Sequence, residues 1–163
     1  MAQDKAIAGT IRAGGPRDQP AVRRIAEEVF AVFGEYGSWL PSYLEHPGVW
    51  SYVYEVDEQV VGFAMLGVLE PEDEKGGRVG DLLAIAVAHG RQSRGVGSAL
   101  LAQVTAKAKQ LKTVLQLEEV RLTVAETNEA ARRLFESFGF HEMEGDHGHY
   151  DKGQRALRLR LRL

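Results

Sequence analysis

The sequence predicts a mixed α/β sheet in a single domain spanning 1–163, with elements in the order β-α-α-β-β-β-α-β-α-β-β. Three observations carry this. Val49 to Val56 and Gln59 to Leu69 are strand-like runs parted only by Asp57-Glu58, which is a hairpin pattern. Val79 to Val87 is almost wholly apolar, as a strand buried on both faces must be. The last segment, Arg155 to Leu163, alternates Leu157, Leu159, Leu161 and Leu163 with Arg158, Arg160 and Arg162. That period of two marks a half-buried antiparallel edge, with the arginine face read as a solvated guard against aggregation.

The other elements follow in order. Ala6 to Ala13 reads as a first strand, broken by Gly14-Gly15-Pro16. Asp18 is placed to cap a helix with Pro20 in its first turn, and Val22, Ile25, Ala26, Val29 and Phe33 form its apolar stripe. Gly34 and Gly37 end it, and Ser38 to Leu44 reads as a short second helix. Pro71 to Gly77 is an acidic loop. Gly95 to Leu111 is helical, with Val96, Leu100, Leu101, Val104 and Ala108 on one side. Val120 to Ala125 is a strand, Asn128 to Phe138 a helix stopped by Gly139, and Phe140 to Met143 a further strand.

Composition excludes several chemistries. There is no cysteine, so no disulfide, thiolate zinc site or cysteine nucleophile exists. No apolar run reaches 18 residues, and the first ten residues lack the apolar core of a secretory signal, so a cytoplasmic, non-membrane protein is expected. The net charge of −3 conceals an asymmetry. Ile25 to Glu74 holds 11 acidic residues and no Lys or Arg, and is rich in aromatics, among them Phe30, Phe33, Tyr36, Trp39, Tyr43, Trp50, Tyr52 and Tyr54. The rest carries a surplus of +8. Solvated faces and core aromatics explain this in one reading; a cation-handling half and an anion-handling half explain it in another. The balance does not favour nucleic acid.

The most informative segment follows the buried strand. Ala84-Ile85-Ala86-Val87 enters Ala88-His89-Gly90-Arg91-Gln92-Ser93-Arg94-Gly95-Val96-Gly97-Ser98, which opens a helix. Free amides at a helix start, approached over glycines, make an anion site, and Arg91 and Arg94 add charge. A P-loop would need Lys after Gly97, where Ser98 stands. A dinucleotide fingerprint would need a third glycine where Leu100 stands.

Gln92-x-x-Gly95-x-Gly97 instead resembles the acetyl-CoA signature of the GNAT N-acetyltransferases. A second block supports it: the strand from Arg121, then Asn128-x-x-Ala131-x-x-Leu134-Phe135, then Gly139-Phe140. The resemblance covers essentially the whole chain. It implies a mostly antiparallel sheet with one splayed parallel pair, Asp81 to Val87 beside Val120 to Val124. Acetyl-CoA would lie in the gap, with its pantetheine arm along Ile85, Ala86 and Val87. Its pyrophosphate would sit on the amides of Gln92, Ser93, Arg94, Gly95, Val96, Gly97 and Ser98, and Asn128 would approach from the other side.

The family's direct transfer to an amine raises a proton problem, since an alkyl amine with a pKa of about 10.4 is nearly all protonated at neutral pH. Asp81 occupies the slot that resembles the family's base, and strand alternation puts it on one face with Leu83, Ile85 and Val87. A turn-bonding role beside Gly80 is the alternative. The other family base slot holds Thr123, which cannot be a base, and Glu70 and Glu72 are relay candidates. The usual acid tyrosine is replaced by Phe135, which can pack beside the thioester, and Tyr150 is a substitute donor. No metal site is expected: His147 and His149 lack a nearby carboxylate set, and His89 and His141 read as structural.

On the acceptor side, Trp39, Tyr43 and Glu70, with Trp50 or Tyr52, are expected to receive a cationic primary amine, either a small molecule or a peptide amine. The alternative is a non-catalytic acyl-CoA-binding sensor or interaction module, and a nucleotide-binding module is a third reading. A homodimer is open, dimers being common in the family.

Overall fold

The computed structural model describes residues 8–69 and 77–163. Its strands are β1 (Thr10–Ala13), β2 (Val49–Val56), β3 (Gln59–Leu69), β4 (Arg78–Val87), β5 (Leu117–Ala125), β6 (His141–Glu142) and β7 (Ala156–Arg162). The α-helices are α1 (Gln19–Phe30), α2 (Val96–Leu115) and α3 (Glu129–Ser137). The strands form one sheet in the order β1-β2-β3-β4-β5-β7-β6. Every neighbouring pair is antiparallel except β4 and β5.

The β2–β3 hairpin has the predicted bounds. Its turn holds Asp57 and Glu58 at φ 49° and 63°, the doubly left-handed geometry that matches strand twist. Apolar patterning then sorts the core onto two sides of the sheet. Val22, Ile25 and Ala26 of α1 are fully buried and pack with Val53, Phe63, Met65, Ala84 and Ala86. On the other side, Val96, Leu100, Leu101 and Val104 of α2 pack with Leu82, Val120, Leu122, Leu157 and Leu159. Burying each such side chain contributes about 1.5–3 kcal/mol, so both helices are held by their stripes.

Several expectations change. The second helix is a 3-10 turn, Leu40–Glu45, with Pro41 at its start. Asp18 sits at the α1 N-cap position but does not bond the helix amides. It ends a 3-10 turn, Pro16–Asp18, accepting the Gly15 N–H at 2.9 Å and both arginine Nη atoms of Arg12 at 2.8 and 2.7 Å. The first strand begins at Thr10, and residues 1–7 lie outside the described part. The final strand, β7, is not the edge: it runs between β5 and the two-residue β6.

Candidate active site

The parallel ladder is short. Arg78 to Asp81 of β4 pair with Leu117 to Arg121 of β5, and there the pairing stops. Beyond it β4 stays with β3 as far as Val87, while β5 stays with β7 as far as Ala125. The sheet therefore opens in its middle into a cavity of about 390 Å³. One side is walled by Phe30, Phe33, Tyr36, Trp39 and Tyr150, the other by Asn128, Ala131 and Phe135.

Asp81 stands at the vertex, in the last paired position of β4. Burial pushes its carboxyl above the ordinary range, against the opposing pull of Arg158 and Arg121. Just after it the strand bulges: Leu66 pairs with Leu82 and Met65 with Ala84, leaving Leu83 extra. Contrary to simple alternation, Asp81, Leu83, Ile85 and Val87 thus do not share a face. Leu83 packs on the α1 side, whereas Ile85 and Val87 pack on the α2 side. Asp81 goes with Leu83, because its cross-strand partner Gly67 lies directly under the Leu83 side chain. One strand thereby serves both sides of the cavity.

Tyr150 reaches the cavity from the loop before β7, its ring 5.3 Å from that of Phe33. Burial, and then neighbouring Tyr36, push its hydroxyl up to about 12. The hydroxyl therefore stays protonated at neutral pH. Tyr36 is raised as well, by burial and then by Asp151. A chain of rings links Phe30, Tyr36, Trp39 and Tyr43 at centroid distances of 5.4, 5.4 and 5.7 Å, the first two contacts tilted and the last edge-on. Trp39 lines the cavity; Tyr43 stands behind it.

On the α3 side, Asn128 caps the helix, its Oδ1 accepting the Ala131 N–H at 3.3 Å, and the residue lines the cavity. Phe135 is buried against Phe140 at 5.9 Å and has no proton to give. Along β4, peptide groups alternate edges. Ala88 N–H donates to Val61, so Ala86 also faces β3, and Ile85 and Val87 turn their groups to the gap. Gln92 Nε2 donates to the Val87 carbonyl at 3.0 Å, bracing the glycine turn from within.

That turn fits an anionic group. Gly90 and Gly95 have φ of 82° and 84°, and a Cβ at either would meet nothing within 4 Å. The first helical bond is Ala99 N–H to Gly95, so the amides of Val96, Gly97 and Ser98 precede the ladder and point out of the helix start. Ser93 and Arg94 lie in the same turn, Ser93 with φ 61°. Together with the open gap beside Ile85 and Val87, the donor set suits a pyrophosphate followed by an amide-bearing arm.

The acidic stretch does not converge on the cavity. Glu55 pairs with Arg12 at 2.5 Å, Glu28 faces His89 at 3.3 Å, and Glu45 accepts from Gln19 at 3.0 Å. Among the described residues Asp81 is the one carboxylate that lines the cavity. Glu70 and Glu72 lie outside the described residues. Trp50 and Tyr52 pack on the α2 face, away from the aromatic mouth, because alternation along β2 turns them there. Nor do the basic residues serve the glycine turn alone: Arg121, Arg158 and Arg160 lie on the same face as Asp81. Phe30 and Tyr36 are wall residues signalled only by the aromatic richness of their segment, and Phe33, read as part of the α1 stripe, lies beyond the end of that helix and lines the cavity. Among the described residues no cluster of His, Asp and Glu is built to hold a metal, and no helix is long and apolar enough to cross a membrane.

Residues 19–140 match the family described as the Acetyltransferase (GNAT) family, which is most of the chain. The chain belongs to the GNAT acetyltransferase family. Members take their acetyl group from acetyl-CoA. Over 115 residues the chain is 33% identical to an N-alpha-acetyltransferase of Sulfurisphaera tokodaii, a match that covers 64% of each chain. In fold it is similar to Arabidopsis thaliana NAA60 in complex with a bisubstrate analogue, with a TM-score of 0.79 and 16% identity over 95% of this chain and 98% of that one. It is likewise similar to Ard1 from Thermoplasma volcanium, with a TM-score of 0.77 and 25% identity over 96% and 99%. The GNAT sheet, mostly antiparallel with one parallel pair, is the architecture seen here.

Proposed function

We propose that this protein acetylates the α-amino group of a peptide or protein N-terminus, with acetyl-CoA as donor. The observation that carries this reading is the base available. Asp81 is the one cavity carboxylate among the described residues, and no Glu, His or Lys joins it. A carboxylate, even one raised by burial, is a weak base for an alkyl ammonium. An α-amine needs far less help. Near pH 7.5, with a pKa of about 7.8, about a third of it is already neutral, against roughly one in 800 for a side-chain amine of pKa 10.4. The site thus suits an acceptor that arrives largely deprotonated. The name of the Sulfurisphaera relative, an N-alpha-acetyltransferase, supports the same choice.

In this reading acetyl-CoA supplies the thioester carbonyl. Asp81 takes the proton that the amine sheds on attack. Tyr150, protonated at neutral pH, donates a hydrogen bond to the departing sulfur. Phe135 keeps that region dry. The aromatic wall of Phe30, Phe33 and Trp39 receives the first side chain of the acceptor.

The test is CoA release with three acceptors: a peptide with a free N-terminus, the same peptide blocked at its N-terminus but carrying an internal lysine, and a small polyamine. The free N-terminus is expected to exceed the others by about 250-fold near pH 7.5, from the neutral fractions above. Comparable turnover of the lysine peptide or the polyamine would overturn the α-amine assignment. Binding of acetyl-CoA without release on any acceptor would favour a non-catalytic acyl-CoA module.

A further inference from the structure

Outward from Asp81 the sheet carries a row of charge that the transfer chemistry does not use. Across neighbouring strands Asp81 stands opposite Arg121, Arg121 opposite Arg160, and Arg160 opposite His141. A second rank places Thr123, which lines the cavity, opposite Arg158. A third sets Glu119 opposite Arg162. All lie on the side of the sheet away from α2, since the residues between them in sequence form the α2-side core. Helix α1 covers this side only over β2, β3 and β4.

Like charges directly opposite each other on a sheet are destabilising. Glu119 offsets part of this, reaching Arg121 at 2.5 Å and Arg160 at 3.9 Å. Among the described residues Arg158 and Arg162 have no ion pair, and Arg158 Nε is buried without a hydrogen-bond partner. Arg158 is also drawn to Asp81, yet Arg121, Arg158, Arg160 and Arg162 against Asp81 and Glu119 leave this side net positive from the vertex of the cavity to the sheet edge.

We infer that this arginine surface binds acidic side chains of the acceptor polypeptide, so that the preferred substrates carry Asp or Glu at the second to fourth residues behind the acetylated amine. The inference rests on the α-amine reading above. Spacing sets the positions. Strands lie about 4.8 Å apart and an extended chain advances about 3.3 Å per residue. With the amine at Asp81, the second or third residue crosses Arg121 and the fourth crosses Arg160.

The experiment compares kcat/KM for three peptides with the same first residue and acidic, neutral or basic residues at positions two to four. The acidic peptide is expected to lead the basic one by about tenfold, as two or three exposed charge pairs acting together would give. In R160E the same ratio is expected to collapse or invert. A salt titration of the unmodified protein gives an independent arm: KM for the acidic peptide should rise with salt, while the neutral peptide's KM stays level. Equal kcat/KM across the three peptides, or a ratio untouched by R160E and by salt, would overturn this inference and leave the α-amine reading standing. Failure of every free N-terminus, the neutral peptide included, would overturn both.

Discussion

Replacing Asp81 by asparagine keeps the shape of the vertex and removes its charge, and its effects on turnover and on stability should run in opposite directions. The carboxyl is held above its ordinary range by burial, net of the attraction of Arg158 and Arg121. The folded chain thus binds this proton more tightly than the unfolded chain does. For such an acid, stability is fully present below the unfolded pKa of about 3.9 and is lost as pH rises through the folded value. At neutral pH the native enzyme carries that whole penalty and D81N does not. A domain of this size gains about 2–4 °C in Tm for each kcal/mol relieved, so D81N should melt measurably higher at neutral pH. Below about pH 3, where both states hold the proton, the difference should vanish. Turnover should move the other way. With Asp81 in the proposed role, loss of a positioned base costs about 10²–10⁴ in rate, and the proposed α-amine acceptor, partly neutral, puts the loss near 10². The residual rate should follow the titration of the amine alone. Melting curves at two pH values and a kcat/KM profile from acid to alkaline pH measure all of this. A variant that melts lower at neutral pH while its pH–rate profile is unchanged would refute both the burial argument and the role of the carboxylate.

Three further outcomes are expected. Asp18 is 4% exposed in its side chain and holds Arg12 through two bonds, so D18A should lose about 3 kcal/mol in urea unfolding at neutral pH. Its carboxyl is held below the usual range chiefly by the Arg12 hydrogen bond. That stability is present above the unfolded pKa and disappears as pH falls through the folded one, so the gap between D18A and the native protein should narrow in acid. Y150F should lower kcat about tenfold without altering the pH profile through the neutral range, since the hydroxyl titrates only near about 12; a new limb near neutrality would contradict this. Gly95 sits at φ 84° in open space, so G95A should cost only about 1–2 kcal/mol of backbone strain, while KM for acetyl-CoA rises because a methyl group enters the phosphate approach.

Local patterns in the sequence were enough for most elements. The bounds of β2 and β3 follow from alternation interrupted by a two-residue turn, and α3 from its Asn128 cap and its Gly139 stop at φ 93°. The glycine turn was legible because backbone conformations of positive φ leave a compositional mark. What depended on distant pairing was not legible. Leu83 bulges because β3 and β4 adjust their register there, and nothing in Leu82-Leu83-Ala84 announces it. The same holds for β7, whose alternation shows two faces but not that β6 takes the outer place. The aromatic wall of the cavity was half visible. Aromatics crowded one segment, but only the fold separates Tyr36, at the cavity, from Tyr52, which burial on the far side of the sheet holds above its ordinary pKa.

The brief seam between β4 and β5 has a mechanical meaning. Only four β4 residues pair a four-stranded half of the sheet with a three-stranded half, so the middle of the sheet contains two interior edges. Edge strands invite another chain, and these two are shielded from neighbours by the fold itself. A molecule with amide groups along its length, lying beside Ile85 and Val87, completes the sheet as an extra strand would. It then acts as a splint across the two halves. Occupancy should therefore slow amide exchange on both banks of the gap at once and make the halves melt as one.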